Sequence, residues 1–236
     1  MPTFDIGFGH FWLDLRFTDL QDAIALAENL MSKHRVDFDT MVEVSASSLS
    51  DNQLEDLHLE WLRIKDRFPQ VLRRALFMVS YARIEALLND LCHAAKKERS
   101  LSLALGDLTG MGITRAKRYL TKVADLRDPF QGEDWRLLKG CNHLRNCLIH
   151  GDGHPTPGLK EDNGLLSFID EQPLLKLDKY GYVVIESGFC EKVVDAAHRL
   201  FKQFPFSLIV IAWRYSTEER LEHQRDSIQL EVGEVL

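Results

Sequence analysis

The 236-residue chain is 45% hydrophobic and 28% charged, the balance of an ordinary globular protein long enough to bury a sizeable core. Its net charge of −7 excludes a uniformly basic surface, and its longest apolar run, over 208–213, is too short to span a bilayer. Four cysteines (Cys92, Cys141, Cys147, Cys190) without a CxxC pair exclude a disulfide scaffold, and with no basic leader at the start they predict a cytoplasmic protein.

Residues 1–68 read as an N-terminal helical extension, with an irregular aromatic-rich start followed by the helix "TDLQDAIALAENLMSKH". "SASSLS" (45–50) is a polar linker, and Ser50 with Gln53 three residues on forms a capping-box start for a helix over about 51–67. Pro69 suits the first turn of a second, long helix reaching about Lys97, with Leu72, Leu76, Val79, Ile84, Leu87, Leu88 and Leu91 at helical spacing. "GDLTGMG" (106–112) breaks the chain and "ITRAKRYLTKV" resumes it as a basic helix. Between His93 and Arg127 eight lysines and arginines face three acids, a local footprint for a polyanion, or else a solvated face. Lys96, Lys97, Arg115, Lys117, Arg118 and Lys122 are the RNA-binding candidates.

A further helix over about 133–150 ends at Gly151, placed as a left-handed cap, and "GDGHPTPG" follows as a stiff loop. A β-hairpin is expected over about 165–186, carried by the alternation of "LLKLDKYGYVVIE" around a Lys-Tyr-Gly turn. "KVVDAAHRLFKQF" is the last core helix, bent or ended by Pro205, and 217–236 form a charged tail. The fold class is therefore mostly α, a helical domain over 69–216 with a small hairpin insertion and the N-terminal extension.

The 133–150 helix carries the densest chemistry. On a wheel of ~100° per residue, Leu137, Cys141, Leu144 and Leu148 form a core stripe, while Lys139, His143, Asn146 and His150 gather opposite. Trp135, Leu138 and Ile149 form a second apolar zone beside Arg145. One buried face suffices a monomer, so this zone predicts a second subunit or a covering segment. Histidine suits acid–base work near neutrality, and a guanidinium fork suits phosphate oxygens, so Arg145 with His150 is chemistry for phosphoryl transfer without metal. The plainer alternative is a capped helix end with surface polar residues.

"RNCLIH" has the R-N-x-x-x-H form of the Rx4-6H motif, and the chain over about 69–215 resembles the HEPN domains (higher eukaryotes and prokaryotes nucleotide-binding). "MVSYARIEALLNDLCHAA", with Glu85 in an apolar run, is similar to the long helix ahead of the motif, and "EDWRLLKGCNHLRNCLIHGDG" to the motif helix. The resemblance implies a helical bundle and a dimeric, metal-independent endoribonuclease of toxin or antiviral-defence type, with an antitoxin or defence partner possible and no cofactor. Arg145 and His150 would be the catalytic pair, Asn146 would orient them, and Glu85 and His143 would support them. The family also contains non-catalytic binding modules, so a dimeric interaction or nucleotide-binding module is the competing reading.

Two other constellations are weaker. His143, Cys147, His150 and His154 step at helical spacing like zinc ligands, but the glycines at 151 and 153 should end the helix before His154. "LTGMGITRAKRYL" is similar to a helix–hairpin–helix nucleic-acid module, in which Gly110 and Gly112 let backbone N–H groups approach a phosphate. Glu85 should find a partner if it faces inward, with Arg145 or Arg83 as candidates.

Overall fold

The computed structural model describes residues 7–45, 49–156 and 160–214. It is mostly α: α1 (Gly7–Ser45), α2 (Asp51–Leu62), α3 (Phe68–Glu98), α4 (Gly112–Lys122), α5 (Glu133–His150), α6 (Lys160–Glu171) and α7 (Phe189–Phe201), with a hairpin of β1 (Leu175–Leu177) and β2 (Val183–Ile185) before α7. A further helical stretch covers 206–214, after Pro205. No described helix is long and apolar enough to cross a membrane. The 217–236 tail lies outside the described residues.

The helices begin and end for identifiable reasons. The aromatic-rich start is helical from Gly7, not irregular, because Leu13 and Phe17, four residues apart, share one buried face. At α2 the capping box forms, with Gln53 Oε1 accepting from the Ser50 backbone N–H at 2.9 Å and from its hydroxyl at 2.9 Å. Pro69 falls in the first turn of α3 as expected, but no break precedes it. A π-helical turn, Arg63–Arg67, joins α2 to α3, and the Phe68 N–H bonds Arg63 five residues back. Widening the turn ahead of Pro69 relieves the clash that a proline ring makes with the preceding turn.

The described chain divides into two compact units, one of 7–17, 82–139 and 196–214, the other of 18–45, 49–81, 140–156 and 160–195. The described residues before 69 are thus shared between both.

In the first unit, α4 buries Ile113, Ala116, Tyr119 and Leu120 on one face. Phe17 stacks on His198 with centroids 4.9 Å apart, and Asp14 accepts from His198 Nε2 at 2.7 Å and pairs with Lys202 at 2.9 Å. Burial raises the Asp14 carboxyl, but the bonds from Lys202 and His198 outweigh it and hold its pKa below the ordinary range.

In the second unit, Phe189 meets Phe77 at 6.0 Å and Phe168 at 6.4 Å, joining α3, α6 and α7 in one core. The hairpin pairs Leu175 with Ile185 and Leu177 with Val183, a shorter element than 165–186 because residues 165–171 belong to α6. Leu165, Phe168 and Ile169, at i, i+3 and i+4, are all buried, which is helical periodicity rather than strand alternation. The turn is the expected one. Asp178 Oδ1 accepts from the N–H groups of Tyr180 and Tyr182 at 2.8 and 2.9 Å, and Gly181 takes the φ of +86°.

Candidate functional site

Helix α5 spans the expected residues and carries its polar motif on the last two turns. Arg145 and Asn146 are half-buried, and Arg145 Nη1 donates to Asn146 Oδ1 at 3.1 Å. Neighbours on a helix diverge by ~100°, so this bond draws the guanidinium toward the face bearing Asn146, His143 and His150. His150 stands exposed at the helix end with no hydrogen-bond partner among the described residues.

The end of α5 is tied down by backbone and by one side chain. Gly151 N–H continues the helix to Cys147 O at 2.8 Å, and Gly153 N–H bonds the same carbonyl at 3.1 Å. Gly151 is not the left-handed residue: Asp152 (φ +48°) and Gly153 (φ +81°) are. Position 151 still demands glycine, because a Cβ there would stand 2.8 Å from His154 O. Arg74, on α3, donates from Nη1 to Asp152 O at 3.3 Å and from Nη2 to Val183 O at 2.9 Å, while Val183 N–H bonds Gly153 O at 2.8 Å. Gly153 admits this guanidinium, since a Cβ there would meet Arg74 Nη2 at 2.9 Å. One arginine thus joins α3, the hairpin and the segment just after His150.

A second support for α3 against the hairpin lies beside it. Gln70 and Ile185 exchange two hydrogen bonds of 2.9 Å, side-chain amide to backbone. Arg73 binds Glu28 through Nε and Nη2 at 2.7 and 2.8 Å, and Ser187 donates to Glu28 at 2.9 Å. Burial raises the Glu28 carboxyl, but Arg73 and Ser187 outweigh it and hold its pKa below the ordinary value of 4.5.

The remaining expected residues fall as follows. His143 is half-buried under α6, where a Cβ on Gly164 would stand 2.9 Å from its ring. Trp135 and Leu138 are buried inside the chain: Trp135 packs edge-on to Phe130 at 4.9 Å, with Lys117 Nζ 5.1 Å from its ring. The second apolar zone is therefore largely core, and only Ile149, 47% exposed, remains on the surface. Glu85 is half-buried beside the N-terminus of α4, its Oε1 3.5 Å from where a Gly112 Cβ would stand. A carboxylate is favoured there by the helix dipole, and it opposes the phosphate that Gly110 and Gly112 were expected to receive.

The basic stretch is partly engaged. Arg118 caps the Thr109 carbonyl at 2.9 Å, Arg115 Nε is buried, and Lys117 lies over Trp135, where desolvation and Lys139 lower its pKa. Lys97 and Lys122 are exposed and Lys96 is half-buried. The zinc-like spacing assembles nothing: Cys147 is buried, His154 packs against Tyr182 at 5.1 Å, and no metal-holding cluster occurs among the described residues.

Sequence reading missed Arg74 and α6. Arg74 had no motif to mark it, while the Leu165–Phe168–Ile169 spacing was a usable signal for α6. Comparison with protein-family models, with curated proteins and with solved structures finds no match to this chain.

Proposed function

We propose that the chain is a metal-independent endoribonuclease acting as a two-fold dimer, of the toxin or antiviral-defence kind, with Arg145 and His150 as its catalytic pair and Asn146 as the positioning residue. The observation that carries this reading is the Arg145–Asn146 bond of 3.1 Å near the helix end, where His150 is exposed and has no hydrogen-bond partner among the described residues. A cation bonded to Asn146 and an exposed imidazole thus share the last two turns of α5, and no carboxylate among the described residues clamps either.

The chemistry follows from those groups. His150 accepts the proton of an RNA 2′-hydroxyl, whose oxygen attacks the adjacent phosphorus. The P–O5′ bond breaks, the 5′-oxygen leaves with a proton from an acid, and a 2′,3′-cyclic phosphate remains. Arg145 stabilises the negative charge that builds on the phosphoryl oxygens. A dimer bringing two motifs together provides one histidine as base and another as acid. Exposed Lys97 and Lys122 contribute general phosphate attraction. An antitoxin or defence partner would act by covering this motif.

The test is single-turnover cleavage of a labelled RNA by the wild type, His150→Ala and Asn146→Ala. His150→Ala should lose cleavage by a factor of at least about 10² and keep its melting temperature, because an exposed side chain adds little to the fold. Asn146→Ala should cleave at an intermediate rate. Equal rates for wild type and His150→Ala would overturn the assignment and favour a non-catalytic binding module.

A further inference from the structure

The second unit contains a cleft of about 1250 Å³ between α1, the π turn with the start of α3, and the hairpin. Small-molecule pockets run to roughly 1,000 Å³, so a space this size suits a segment of polymer. Although the chain carries a net charge of −7, cations among the lining residues outnumber acids seven to four.

Most of the acids are already engaged. Glu28 is held by Arg73, Glu186 pairs with Lys176, and Asp178 accepts two backbone N–H groups within its own turn. Asp66 is exposed. Of the cations, Arg35, Arg73, Arg74 and Lys176 are paired as well, with Asp39, Glu28, Asp152 and Glu186, whereas Lys65 (over the Trp61 ring at 4.2 Å), Arg67 and Lys179 are exposed and make no ion pair among the described residues. Arg74 lines the same cleft and reaches Asp152 O, two residues beyond His150.

Aromatic faces accompany the charges. Tyr180 and Tyr182 on the hairpin are 68% and 39% exposed, with Lys179 Nζ 4.9 Å from the Tyr180 ring centroid. Cations for phosphates beside exposed rings for bases are the two elements of single-strand recognition. An acidic peptide would use the cations and leave the rings idle, and a duplex would keep its bases stacked internally. We infer that this cleft binds single-stranded RNA, its phosphates on Lys65, Arg67 and Lys179 and its bases against Tyr180 and Tyr182. The choice of RNA over DNA rests on the ribonuclease reading; the single-strand binding does not.

The experiment is fluorescence anisotropy of a labelled 12-nucleotide single-stranded RNA with the full chain carrying His150→Ala, so that binding is read without cleavage. Adding Lys65→Glu, Arg67→Glu and Lys179→Glu together should weaken binding at least tenfold. The slope of log affinity against log salt should fall by about two, from roughly 0.7 per phosphate contact. Tyr180→Ala should weaken binding severalfold and leave the salt slope unchanged, which separates stacking from charge. All these side chains are exposed, and an unchanged melting temperature verifies the fold. Affinity unmoved by either variant overturns the inference, as does equal competition by duplex RNA or by polyglutamate. If the wild type fails to cleave RNA but this binding behaves as described, the cleft stands and the catalytic reading falls. Cleavage without cleft-dependent binding is the opposite result.

Discussion

The Phe168 ring occupies the space that a side chain on Gly140 would need, so α6 packs onto α5 with no atom to spare between them. This contact explains a glycine in the middle of a long helix, where it costs about 1 kcal/mol relative to alanine. Gly140→Ala should therefore destabilise the protein by about 1–3 kcal/mol despite the better helix former. Thermal melts of the single variant would show it. Phe168→Leu should recover part of the loss in the double variant, and simple additivity would contradict the contact.

The Glu28–Arg73 pair makes stability depend on acid. The folded Glu28 carboxyl ionises below its ordinary value of 4.5, so its contribution is present above that value and is lost as pH falls through the depressed folded one. Glu28→Gln should cost about 1–3 kcal/mol at pH 7, the range for hydrogen bonds to a charged group. The cost should shrink at pH 3, read by urea unfolding at both values. An equal cost at both would contradict the ion pair.

None of the four cysteines forms a disulfide, and all are buried. Burial pushes the Cys92 and Cys141 thiols far above their usual range, and burial with Glu191 and Glu28 pushes Cys190 up to about 12. Thiolate is the reactive form, so a chromogenic disulfide reagent at pH 8 should label the folded protein slowly and release four equivalents only on unfolding. Fast labelling of the native protein would show that one of these sites opens.

Dimerisation is the proposal's most exposed requirement. With Trp135 and Leu138 buried in the chain itself, Ile149 is the one member of the expected interface still on the surface. Light scattering at micromolar concentration should give twice 27.2 kDa, and Ile149→Asp should shift the mass toward the monomer. A monomeric wild type would remove the second histidine from the mechanism.

The parts legible in the sequence were those written in local chemistry. The Ser50–Gln53 box, the bounds of α5 and the Lys-Tyr-Gly turn each depend on neighbours within a few residues, and each stands where its residues place it. What long-range packing decides was harder to read. Trp135 and Leu138 look like a second exposed zone on a wheel, because a wheel cannot show Phe130 and Lys117 folding over the tryptophan. Gly151 suits a left-handed cap by type, yet the helical bond to Cys147 persists through it and the reversal falls on Asp152 and Gly153. Arg74 matters through carbonyls at 152 and 183, partners that no spacing along the chain announces.

If Arg145 and His150 cleave RNA by transesterification, the chemistry of the cut ends shows it most directly. Wild-type protein with a single-stranded RNA in excess EDTA should yield 2′,3′-cyclic phosphate and 5′-hydroxyl ends, and Arg145→Ala should yield neither, because the pair itself supplies acid–base chemistry and charge stabilisation. Intact RNA, or products ending in 3′-hydroxyl and 5′-phosphate, would contradict the account.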